Sequence, residues 1–92
     1  MRREENWAIE EGRIRTFFAA QPDVTQTAEG FAFGGCQIRL IPVSGQLLGK
    51  WQQQRTIVIM DGPDDDTAQI YQRFFLQFLS EVGWKESIKH MH

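Results

Sequence analysis

Between Thr67 and Val82 the apolar residues Ala68, Tyr71, Phe74, Phe75, Phe78, Leu79 and Val82 recur at helical spacing. They fall on one face of a helix, with Gln69, Gln72, Arg73, Gln77, Ser80 and Glu81 on the rest of its surface. A stripe this broad has to be buried, so the chain must supply a second layer to receive it. Gly62-Pro63 followed by Asp64, Asp65 and Asp66 marks the start of the helix, since carboxylates favour the positive end of a helix dipole. Gly83 suits a helix-terminating left-handed position, and Trp84 is expected to fold back over the last turn.

The second layer reads as strands. Arg55 to Met60 is rich in β-branched residues and ends in the turn signal Asp61-Gly62-Pro63. Upstream, Cys36, Ile38 and Leu40 alternate with Gln37, Arg39 and Ile41, the period of a strand with one buried face, closed by Pro42 and Ser44-Gly45. A third strand is expected within 24–33, followed by a turn or bulge at Gly34-Gly35. Residues 46–54 are compatible with a fourth strand or a cover loop. The first twenty residues read as a helix in which Trp7, Ile14, Phe17 and Phe18 share a face and Pro22 ends the run. Gly12 within it costs ~1 kcal/mol against alanine. Short links between the strands favour antiparallel pairing. The expected fold is therefore an α+β two-layer sandwich: N-terminal helix, three- to four-stranded antiparallel sheet, C-terminal helix.

At 92 residues the chain is expected to form one domain spanning 1–92, with a mobile tail near 85–92. No apolar run approaches the ~20 residues of a membrane span. Residues 1–6 lack the apolar stretch of a signal peptide, which predicts a soluble, cytoplasmic protein without membrane partners. Cys36 is the only cysteine, so an intrachain disulfide and a multi-cysteine zinc site are excluded.

The net charge of −2 is unevenly placed, because residues 61–66 alone carry −4. Asp61, Asp64, Asp65 and Asp66 could hold a hard cation through oxygen ligands. Their spacing matches no calcium-loop pattern, and helix capping is the favoured explanation. No phosphate-binding glycine motif is present, and the aspartates oppose a phosphate at this helix end. The only histidines that could serve Cys36 as a base, His90 and His92, lie at the extreme C-terminus where order is usually poor, so Cys36 reads as a small buried hydrophobe. His90 and His92 read as a tail. No catalytic constellation and no cofactor site emerge, so the chain is expected not to be an enzyme.

Seven Phe, three Trp and one Tyr are a large aromatic load for this length. Trp7, Trp51, Trp84, Phe31 and Phe33 are hard to bury together. A sheet face carrying Trp51, Ile41 and Val58 would be too apolar to leave in water, and a two-fold dimer would bury it. Trp51, Phe31, Arg39, Ile41 and Arg55 are accordingly the candidate interaction residues, with a second copy or another protein as partner. A nucleic acid is the rival partner, disfavoured because no basic stripe accompanies the aromatics. The helix–strands–helix order resembles that of double-stranded RNA-binding domains in topology alone. Asp64, Asp65 and Asp66 stand where those domains present basic residues, so the resemblance implies fold and counts against RNA.

Overall fold

The computed structural model describes residues 1–44 and 54–79. Strand β1 (Arg2–Trp7) is followed by helix α1 (Glu11–Ala19), strands β2 (Thr25–Gln26), β3 (Gly30–Phe33), β4 (Cys36–Ser44) and β5 (Gln54–Asp61), and helix α2 (Asp64–Phe78). All the strand pairs are antiparallel, in the spatial order β1-β5-β4-β3-β2. The expected α+β sandwich with an antiparallel sheet and a C-terminal helix is therefore present, with five strands.

The N-terminal helix is shorter than its sequence suggests. Residues 2–7 form an edge strand paired with β5 from Arg2↔Asp61 to Trp7↔Thr56, and the helix starts only at Glu11. Trp7 reaches the core from a strand. The segment 24–33 likewise holds two strands, β2 and β3, joined by a turn in which the Thr27 Oγ1 accepts the Gly30 N–H at 3.0 Å. Pro42 lies inside β4 instead of ending it. Strand β3 flanks β4 only as far as Arg39, so Pro42 meets a neighbour on one side alone, Thr56 of β5. A missing N–H is tolerated at such a local edge.

Both helices pack on one face of the sheet. Ile14 and Phe18 of α1 and Ile70, Phe74 and Phe78 of α2 share a core with Trp7, Phe31, Phe33, Cys36, Ile38, Leu40, Val58 and Met60. Aromatic rings dominate this layer. Phe74 lies 4.9 Å from Trp7, 5.8 Å from Phe18 and 5.3 Å from Phe78, centroid to centroid. Thr56, also on this face, is fully buried and donates its hydroxyl to the Ile9 carbonyl at 2.7 Å.

At the sheet's β1 end, Glu5 points inward. Its carboxylate accepts from the Trp7 indole at 3.0 Å, from Arg3 at 3.0 Å and from the Tyr71 hydroxyl at 3.0 and 3.1 Å. The Arg3 guanidinium lies 3.8 Å from the centre of the Tyr71 ring. Burial, reinforced by the Glu5 carboxylate, pushes the Tyr71 phenol above its ordinary value. On the far side of the layer, Arg73 of α2 grips Asp23 with two hydrogen bonds at 2.7 and 2.9 Å, and the arginine holds that carboxyl below the usual range.

Candidate interaction face

Neither described helix packs on the opposite face of the sheet, and strand parity decides what it displays. In β5 the even residues Thr56, Val58 and Met60 are buried, which turns Arg55, Ile57, Ile59 and Asp61 to the outer face. In β4, Cys36, Ile38 and Leu40 point inward, leaving Gln37, Arg39, Ile41 and Val43 outward. The pairing register then sets the outer residues in rows. One row runs Arg2–Asp61–Gln37–Ala32–Thr25, the next Glu4–Ile59–Arg39–Gly30, the third Asn6–Ile57–Ile41, and the last Arg55–Val43.

The centre of this face is therefore an aliphatic group, Ile41, Ile57, Ile59 and Val43, framed by charges of both signs. Ile41 is 38% exposed, one of the most exposed large apolar side chains among the described residues. Ile59, whose row neighbours are Glu4 and Arg39, is buried. The Arg55 Nε donates to the Asn6 Oδ1 at 2.8 Å across the β1–β5 pair. Arg2 hydrogen-bonds to Glu4 at 3.2 Å and stands 3.8 Å from Asp61.

Of the five residues expected here, the structure brings together Arg39, Ile41 and Arg55. Phe31 is a correction. It pairs with Ile38 on the inner face, is 1% exposed, and stacks in the core 5.6 Å from Phe18. Val58, expected outside, also belongs to the core. Trp51 lies outside the described residues, as do Gly83 and Trp84. Of the aromatic surplus, Trp7, Phe31 and Phe33 enter the helix-covered layer. What the sequence reading missed is Ile57 and Ile59. Their signal is the odd register they share with the polar Arg55 and Asp61.

The acidic segment is used internally. Asp66 Oδ2 accepts the Gly35 N–H at 2.8 Å, tying the β3–β4 hairpin to the first turn of α2. Gly34, at φ +56°, allows that turn: a Cβ there would stand 2.6 Å from Asp66 Oδ2. Asp64 lies 3.0 Å from the Met1 ammonium, which donates to the Gly62 carbonyl at 2.7 Å. Pro63 occupies the N-cap with no side-chain cap, so the aspartates act on α2 through charge in its first turn. Asp61, Asp64, Asp65 and Asp66 do not converge, and no group of three His, Cys, Asp or Glu among the described residues could hold a metal ion. Cys36 is fully buried and free. No described helix is long and apolar enough to cross a membrane.

No family model, curated protein or solved structure matches this chain.

Proposed function

We propose that the protein is a small non-catalytic interaction domain that associates with a second copy of itself through the outer face of its sheet. The observation that carries this reading is Ile41, exposed beside Ile57 and Val43 on a face that neither described helix covers. An aliphatic centre with a charged rim has the anatomy of an association patch. Five strands at ~4.8 Å spacing and ~3.3 Å per residue project about 500 Å². With side-chain relief counted, that is the scale of one partner's share of a standard interface, ~800 Å².

The charges favour a copy over a polyanion. Glu4 and Asp61 share the face with Arg2, Arg39 and Arg55, so a two-fold axis can set carboxylates of one copy against guanidinium groups of the other. A nucleic acid would meet those carboxylates too.

Light scattering on the purified chain is expected to give a dimer mass. Ile41→Glu is expected to give a folded monomer, with any fall in melting temperature limited to the stabilisation that association itself supplied. A wild-type monomer, or a variant that keeps the dimer mass, removes this reading.

A further inference from the structure

We propose that the groove between α1 and the C-terminal end of α2 is the docking site of this chain's own residues 80–92, with the Trp84 indole as anchor. The groove lies on the helix side of the molecule, away from the outer sheet face. Its volume is about 590 Å³. Phe17, Ala20 and Phe78 make it apolar, while Glu10, Arg13, Thr16, Gln21 and Gln77 supply charged and polar groups.

Three observations point to this occupant. The first is an incompletely covered ring. Phe17 packs edge-on against Phe18 and Phe78, at 5.1 and 5.5 Å, yet remains only half-buried where it lines the groove. The second is where the chain goes. Gln77 and Phe78 line the groove, and Leu79, the next residue, still has helical φ and ψ of −58° and −41°. The chain therefore enters its last thirteen residues at the groove's own wall. Trp84 follows five residues after Leu79, within a reach of ~17 Å even when fully extended. The groove beside α1, a nine-residue helix ~13 Å long, lies inside that radius.

The third is chemical fit. An indole combines a large apolar body with one N–H donor and suits a site that is apolar on one side and polar on the other. Phe17 and Phe78 offer the ring contacts, and the Gln21, Gln77 and Glu10 side chains offer acceptors for the N–H. Val82 and Ile88 are further apolar residues of the segment.

The test uses the full chain. In a labelled sample, indole resonances are assigned with Trp51→Phe and Trp84→Phe. Nuclear Overhauser contacts are expected from the Trp84 ring to the Phe17 and Phe78 rings within one molecule. Ala20→Glu, on the exposed groove wall, is expected to abolish them and move the Trp84 N–H to the position of free indole while the sheet resonances stay in place. Gln77→Glu, across the groove, serves as the second variant. Absent contacts with a free-indole position in the wild type overturn the proposal. Contacts found only between differently labelled chains also overturn it and assign the groove to a second copy. Ile41→Glu should leave the Trp84 contacts intact, which separates this outcome from the fate of the sheet-face dimer.

Discussion

The inner and outer faces of the sheet are drawn from the same strands, alternate residue by alternate residue. The inner set, Phe31, Ile38, Leu40, Val58 and Met60, meets a layer of aromatic rings from both helices. The outer set, Ile41, Val43, Ile57 and Ile59, lies on the face away from both described helices. Aliphatic content therefore does not distinguish the faces. What distinguishes them is the supply of large rings able to fill the space above one of them. The ring-packed core is built on one parity of each strand.

The largest effect expected from breaking that division is at Phe74, fully buried among Trp7, Phe18 and Phe78. Phe74→Ala should lose about 3–5 kcal/mol in chemical unfolding, the range for large-to-small changes in a ring-packed core. Ile57→Ala on the outer face should lose about 1 kcal/mol or less. Equal losses would mean that the two faces contribute alike.

Next comes the tie between sheet and helix layer. Gly34→Ala must hold alanine at φ +56° against the Asp66 carboxylate. A loss of ~1–2 kcal/mol is expected for the left-handed backbone alone. The denaturant midpoint should fall while the mass in solution stays that of the wild type, because the outer face is untouched.

Tyr71→Phe removes a partly buried hydroxyl from Glu5 and should lose about 1 kcal/mol near neutral pH. Its pH signature is specific. Because the folded phenol titrates above its ordinary value, the unfolded chain ionises first as the pH rises. The Tyr71 contribution is fully present below the ordinary tyrosine range and is lost as pH climbs through the raised folded value. Thermal melts across that alkaline range should therefore fall more steeply for the wild type than for the variant. The smallest effect on the stability of the isolated protomer, within about 0.5 kcal/mol, belongs to Ile41→Glu, an exposed position whose expected consequence is the change of mass.

Much of this was legible in the sequence, for physical reasons. α2 announces itself because a long helix with one buried stripe must repeat its apolar residues at helical spacing. β4 announces itself because its faces differ in chemistry, Cys36, Ile38 and Leu40 against Gln37 and Arg39. β1 does not, because both its faces carry charge and its single large apolar residue, Trp7, stands at helical spacing from Ile14, Phe17 and Phe18. The inward turn of Arg3 and Glu5 is decided by Tyr71, sixty-six residues beyond Glu5, which no local pattern contains. The outer face was half legible. Arg39, Ile41 and Arg55 were found by alternation, but assigning Phe31 and Val58 to their faces required the register that pairs Phe31 with Ile38 and Val58 with Leu40.

The two ends of the sheet carry a further consequence. One edge strand, β2, is two residues long, and the other, β1, reads Arg-Arg-Glu-Glu-Asn-Trp. A strand from a neighbouring molecule that tried to extend the sheet would find almost no ladder at one end and a run of ions to desolvate at the other. Growth of the native sheet on these two strands is thereby discouraged, which leaves residues 40–44 of β4, flanked by β5 alone, as a further unpaired edge among the described residues.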